Sequence, residues 1–242
     1  MPADVVGGQV IDSTGDSVRL NFQPGPIFTE LLLADEINRA NPRTQSALLE
    51  AMAEGQVTVA GQTSTLGPPF FVLATQNPIE MEGTYPLPEA QSDRFMMKLK
   101  MTEPSFEDLK EILDIEPRLA LADVQPIVSK GALLRYQEHV AAIPASENAK
   151  ATIARIIMRT RPEHAPSSVA SYIRLGASPR GAQALFAAAR ARAAMAGRLN
   201  VTVEDVRALA APVLRHRLLL GYASRAEGVD SDQVLAAILQ DD

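Results

Sequence analysis

Leu31-Leu32-Leu33-Ala34-Asp35-Glu36-Ile37-Asn38 is an apolar run that ends abruptly in two adjacent carboxylates. It predicts a buried strand that carries Asp35 and Glu36 to the carboxyl edge of a parallel sheet, where ligands of open α/β folds bind. At such an edge one carboxylate can hold Mg²⁺, directly or through water, while its neighbour orients and deprotonates an attacking water. Asp35 as the cap of a following helix stands as the structural alternative. No G-x-x-x-x-G-K-[ST] run occurs in the 242 residues, so they show no phosphate cradle of that kind.

Working outward, a second apolar run, Phe70-Phe71-Val72-Leu73-Ala74-Thr75, is also suited to burial in a parallel sheet and ends in Gln76-Asn77-Pro78. If the two strands are neighbours, the Asn77 amide comes near Asp35 and Glu36, where it can hydrogen-bond a phosphate and the attacking water; an Asn-Pro turn is the alternative. Between the runs, Pro42 starts a helix over Gln45–Met52 that Gly55 ends. Two hairpins are expected. One spans Gln9 to Phe22 around Asp12–Asp16, and the other joins Gln56–Val59 to Gln62–Leu66 through Ala60-Gly61. Pro24-Gly25-Pro26 and Gly67-Pro68-Pro69 close them.

From Ser105 the pattern changes. Ser105-Phe106-Glu107-Asp108 has the form of a helix start, and Ala-rich helical segments follow, notably Gly181–Met195 and Val203–Leu220. A boundary near Glu103-Pro104 therefore divides an α/β part, residues 1–103, from an all-α part, residues 104–242. In the first, Arg94 lies in Leu87-Pro88-Glu89-Ala90-Gln91-Ser92-Asp93-Arg94-Phe95, where its planar guanidinium suits a finger supplied to a neighbouring subunit or, alternatively, a salt bridge with Asp93 or Glu89. In the second, Ser178 and Pro179 put Arg180 in the first turn of a helix, where a cation opposes the helix dipole unless an anion lies nearby.

The composition suits a folded protein: 46% of residues are hydrophobic and 21% charged, with a formal net charge of −6. The acidic balance and the lack of a basic-aromatic stripe disfavour nucleic acid as the main partner. With no cysteine and three scattered histidines, disulfides and cysteine metal sites are excluded and a histidine site is disfavoured. No run approaches the roughly 20 apolar residues of a membrane span, and the first residues do not resemble a signal peptide. Cytoplasmic residence without membrane insertion is the expectation.

The stretches GPIFTELLLADEINRANPRTQSALLEAMAEGQVTV, FFVLATQNPIEMEGTYPLPEAQSDRF, GASPRGAQAL and VTVEDVRALAAPVLRHRLLL, in this order, resemble the MoxR family of AAA+ ATPases. The resemblance implies a P-loop-type parallel sheet core with β-hairpin inserts, followed by an all-α lid. It implies Asp35 and Glu36 as Walker B, with Asp35 holding Mg²⁺ and Glu36 acting on water, Asn77 as sensor 1, Arg94 as arginine finger and Arg180 as sensor 2. Asp35, Asn77 and Arg180 would then bind ATP-Mg²⁺, and Glu36, Asn77 and Arg94 would serve hydrolysis. The hairpins would be the helix-two and pre-sensor inserts. The resemblance further implies a homo-oligomeric ring, commonly a hexamer, chaperone-like remodelling or maturation of partner proteins, and partners with von Willebrand factor A domains.

Two departures accompany it. Ser92 stands where the family usually has Leu, and the family's Walker A loop precedes the first hairpin, so the chain reads as truncated at its N-terminus and as inactive alone. Loss of the P-loop strand would also leave an apolar edge or face of the sheet uncovered. A non-catalytic protein-binding module or regulatory subunit derived from such an ATPase is the alternative.

Overall fold

A computed structural model describes residues 2–12, 19–59, 61–77, 83–115 and 125–240, and the chain divides into two compact units, Met1–Met96 and Met97–Asp242. The first unit begins with helix α1 (Pro2–Val6) and strands β1 (Gly7–Asp12) and β2 (Arg19–Pro24), which pair antiparallel from Gly7↔Pro24 to Asp12↔Arg19. The turn expected between these strands lies mostly outside the described residues. β3 (Leu31–Ala34) is followed by one 3₁₀ turn, Ile37–Arg39, and by helix α2 (Pro42–Glu54). The Asn41 side chain accepts from the Thr44 N–H at the start of α2, and Gly55 ends it in the left-handed conformation at φ 62°. A Cβ-free residue takes that conformation without steric penalty.

β4 (Gln56–Val59) and β5 (Gln62–Thr65) form the second hairpin, and β6 (Phe71–Ala74) pairs in parallel with β3, Leu31 opposite Phe71 and Ala34 opposite Ala74. The short helix α3 (Glu89–Ser92) follows. Val6, Ile27, Ile37, Leu48, Ala51, Val57 and Leu66 make the core of this unit, and Leu32, Ala34, Val72 and Ala74 pack against it from one face of the β3–β6 pair.

The expected burial of both strands is corrected here. Only that inner face is covered; Leu31, Leu33, Phe71 and Leu73 on the other face are 49–64% exposed. Side chains alternate across a strand, so a pair covered on one side buries every second residue however apolar the run.

The second unit contains α4 (Phe106–Asp114), α5 (Lys130–Ala142), α6 (Glu147–Arg159), α7 (Pro179–Met195), α8 (Val203–Leu214), α9 (Tyr222–Glu227) and α10 (Ser231–Gln240). Helix α4 starts with a capping box between Ser105 and Asp108, as its sequence predicts. Ile156, Leu185, Val206, Val213, Leu214, Leu235 and Ile238 are fully buried between the helices. Ala188, Ala189 and Ala193 let the α7 backbone approach its neighbours closely.

The helix expected to run from Val203 to Leu220 stops at Leu214. Leu219–Leu220 instead form strand β8, antiparallel to β7 (Ile173–Leu175). That pair satisfies backbone groups of Ile173–Leu175 and Leu219–Leu220, and the Lys98 N–H donates to the Pro212 carbonyl in the last turns of α8.

A buried ion cluster fixes the start of α8. Asp205, wholly inaccessible, accepts from Arg198 through both carboxylate oxygens at 2.5 and 2.6 Å, from Arg192 at 2.6 Å, and from the backbone and hydroxyl of Thr202. The Arg198 guanidinium holds this carboxyl well below the usual carboxylate range, against the opposing effect of burial, with Thr202 and Arg192 assisting.

A depressed native pKa means that the stabilisation is fully present above the unfolded value near pH 4 and is lost as pH falls towards the native one. Asp205→Asn should cost about 3 kcal/mol at pH 7, because it leaves two guanidinium groups without their anion. Urea melts at pH 7 and pH 3 check this: the gap between wild type and Asp205→Asn should narrow at the lower pH.

Candidate functional site

The parallel pairing of β3 and β6 brings the two polar strand ends together. Beyond the last ladder pair, the Thr75 N–H donates to the Ala34 carbonyl at 3.1 Å and the Ile37 N–H donates to the Thr75 carbonyl at 3.0 Å. Asp35 and Glu36 therefore lie at the carboxyl edge of a parallel pair, beside the segment that leads to Asn77. The Asp35 side chain does not cap the turn that follows. It accepts from the Thr75 hydroxyl through Oδ1, while Glu36 occupies the cap position without a capping bond from its side chain.

Glu36 adopts φ 49° and ψ 51°, and its backbone N–H donates to Thr75 Oγ1 at 2.8 Å. Its carboxylate pairs with Arg39 Nε at 3.1 Å, in a contact left partly open to water. Asn38 joins the two strand ends a second time, its side-chain amide donating to the Asn77 carbonyl at 3.2 Å. Gln45, only 2% exposed, reaches back from α2 and donates to the carbonyls of Ile37 at 3.1 Å and Tyr85 at 3.0 Å. The Tyr85 N–H in turn donates to the Asn38 carbonyl at 2.6 Å. A buried carboxamide thus ties the acid-bearing turn to the helix behind it and to the segment entering α3.

Sequence reading did not single out Thr75, Asn38, Arg39 or Gln45. Thr75 carried a signal: a hydroxyl at the end of an apolar strand can reach a neighbouring strand end. Gln45 carried a fainter one, as a polar residue on the apolar stripe of α2.

Arg94 lies elsewhere in the first unit. Its guanidinium donates to the Leu49 carbonyl of α2 at 3.0 Å and not to Asp93 or Glu89, beside a cleft of about 210 Å³ that Ser46, Glu50, Glu54 and Gln91 also line. Among the described residues no bond joins it to Asp35 or Glu36. In the second unit, Arg180 is exposed in the first turn of α7, with Ser178 capping through its hydroxyl and Pro179 at the first helical position. A groove of about 620 Å³ runs up to that helix start, lined by Arg161, Glu163, His164, Arg174, Gly176 and Ser178 among others. Gly176 is needed there, because a Cβ would lie 2.5 Å from the Thr160 carbonyl oxygen.

Among the described residues no group of three or more His, Cys, Asp or Glu could hold a metal ion. The donor set at Asp35 and Glu36 is nevertheless suited to Mg²⁺ that arrives with a phosphate ligand, since Mg²⁺ keeps several waters and takes only one or two protein carboxylates. Asp35 Oδ2 accepts no hydrogen bond among the described residues, which leaves it open to such an ion. No helix among the described residues is long and apolar enough to cross a membrane.

Comparison with known proteins agrees with this architecture. Residues 1–97 match the ATPase family associated with various cellular activities (AAA), and residues 166–238 match the AAA lid domain. The uncharacterized protein YeaC of Bacillus subtilis is 42% identical over 99% of this chain and 72% of its own length. The chaperone MoxR1 of Mycobacterium tuberculosis is 40% identical over 99% of this chain, which spans 63% of that relative, and the protein MoxR of Paracoccus denitrificans is 31% identical over 95% and 72%. The crystal structure of a presumed ATPase from Cytophaga hutchinsonii superposes with a TM-score of 0.87 at 39% identity, covering 99% of this chain and 73% of that one. A full-length MCM homolog from Methanopyrus kandleri shares the fold at 20% identity, with a TM-score of 0.57 over 90% of this chain and 44% of its own. An apolar strand ending in Asp35-Glu36, its parallel neighbour ending at Asn77, a helical lid and this set of relatives agree: the chain belongs to the MoxR family of AAA+ ATPases.

Proposed function

We propose that this chain serves a MoxR-type ATPase that couples ATP binding and hydrolysis to chaperone-like remodelling or maturation of partner proteins. The observation that carries the reading is the Asp35-Glu36 pair at the carboxyl edge of the β3–β6 pair, bonded to Thr75 and joined through Asn38 to Asn77. The chaperone name of the Mycobacterium relative supports the remodelling part.

Asp35 is the group to hold Mg²⁺, and Glu36 the base that orients water and takes its proton. Asn77 is the residue proposed to hydrogen-bond a phosphate oxygen and that water, and Arg180 the cation proposed to meet phosphate charge. Bound Mg²⁺ would supply charge neutralisation on the phosphate oxygens. Arg94, tied to α2 and not to its own acids, fits a finger given to the site of the next subunit in a homo-oligomeric ring, a hexamer by family resemblance. Proteins with von Willebrand factor A domains are the proposed partners, and the cytoplasm the proposed location.

The second reading is a non-catalytic binding module or regulatory subunit. The observation in its favour is that the 242 residues hold no G-x-x-x-x-G-K-[ST] run, and a P-loop's backbone N–H groups and Lys are what cradle the β- and γ-phosphates. Stimulation of ATPase turnover when the chain is mixed with P-loop-bearing subunits would show Arg94 working in trans.

Three outcomes test these readings. In the full-length assembly Glu36→Gln should lower turnover by about a hundredfold or more with ATP binding kept, and wild-type turnover would remove Glu36 as the base. Arg94→Ala should lower turnover by about a thousandfold while ATP still binds, as a steady-state assay with a nucleotide-binding measurement would report. The 242 residues by themselves should give no saturable Mg-ATP binding in calorimetry at micromolar concentrations, and a micromolar Kd would contradict that.

A further inference from the structure

One hydroxyl stands between the two acid-bearing residues. Thr75 Oγ1 donates to Asp35 Oδ1 at 2.5 Å and accepts from the Glu36 N–H at 2.8 Å, so its single proton and a lone pair are both engaged. The position of that hydroxyl is set by the sheet, because the Thr75 N–H and carbonyl are bonded to Ala34 and Ile37. The N–H it accepts belongs to the one non-glycine residue with positive φ among those described. A non-glycine residue keeps such a conformation only where its surroundings hold it.

We propose that Thr75 is a positioning residue of the ATPase site. Its hydroxyl fixes the Asp35 carboxylate through Oδ1, leaving Oδ2 as the oxygen for Mg²⁺, and holds the left-handed backbone that sets the direction of the Glu36 side chain. The inference rests on the reading of Asp35 as the Mg²⁺ ligand and Glu36 as the base. A carboxylate without this donor turns among broad torsional minima, so Mg²⁺ would meet a less ordered ligand.

The first test needs no turnover. In nucleotide-free protein, hydrogen–deuterium exchange across Ala34–Asn38 should be about fivefold faster in Thr75→Val, the loss expected for one hydrogen bond, and should return towards wild type in Thr75→Ser. In the full-length assembly Thr75→Val should raise the Mg²⁺ concentration for half-maximal turnover about tenfold and lower kcat, with the ATP KM within about twofold; Thr75→Ser should recover most of both. Thr75→Ala is a second hydroxyl-free variant and should behave as Thr75→Val does, so a folding defect in either leaves the other to decide.

Unchanged exchange and Mg²⁺ dependence in the hydroxyl-free variants, in an assembly that Asp35→Asn inactivates, overturn the proposal while the reading of the site stands. A Thr75→Ser as impaired as Thr75→Val overturns it too. Wild-type turnover in both Asp35→Asn and Glu36→Gln removes the reading of the site, and the proposal with it.

Discussion

The four-residue parallel ladder between Leu31–Ala34 and Phe71–Ala74 is the constraint on which the candidate site depends. Parallel strands end on the same edge, so a pairing made of apolar residues decides where the polar ones that follow must lie. A slip of one residue would turn Leu32 and Ala34 away from the core and place different groups beside Asp35 and Glu36. The ladder is short for such a task, and the structure reinforces it from behind. Gln45 bonds the carbonyl of Ile37, Ile37 itself is buried, and Asn38 reaches across to Asn77. Each of these bonds acts on the turn that bears the acids and not on the strands, so the turn is held more firmly than its open position suggests.

The second unit is built on a different principle. Its helices approach closely where alanines replace larger side chains, and its polar order is concentrated at Asp205, whose bonds tie the start of α8 to Arg192 on α7 and to Arg198 in the connection between these helices. The same carboxylate completes a capping box with Thr202, so a local device for starting a helix also anchors tertiary structure. Arg180 benefits indirectly. It sits at the other end of α7, on a first turn set by Ser178, Pro179 and the close approach of Gly176 to Thr160.

Much of this was legible in the sequence because local rules and tertiary structure agree. Pro42 and Gly55 bound α2, Ser105 and Asp108 start α4, and Ser178-Pro179 start α7, each through a side chain or ring acting on its own backbone. The polar ends of the two apolar runs were legible as well, since only a parallel pairing makes sense of both. What escaped was set by partners distant in sequence. Leu219–Leu220 read as helix because nothing local reveals Ile173 as a strand partner. Exposure of Leu33 and Leu73 depends on what covers a sheet face: the apolar runs alone read as buried, and only the family resemblance pointed to an uncovered face. Thr75, 40 residues from Asp35, became visible as a partner only when the register was known.

The left-handed backbone at Glu36 has a consequence for how this chain can change over time. Glycine or asparagine fits that conformation better than glutamate, by about 1 kcal/mol or more. A selection for thermal tolerance alone would therefore drift towards replacing the residue proposed to activate water, and consensus-style stabilisation would find an apparent improvement there. Backbone preference alone would not select an acid at this position, so engineered variants should be screened for turnover before they are ranked by melting temperature.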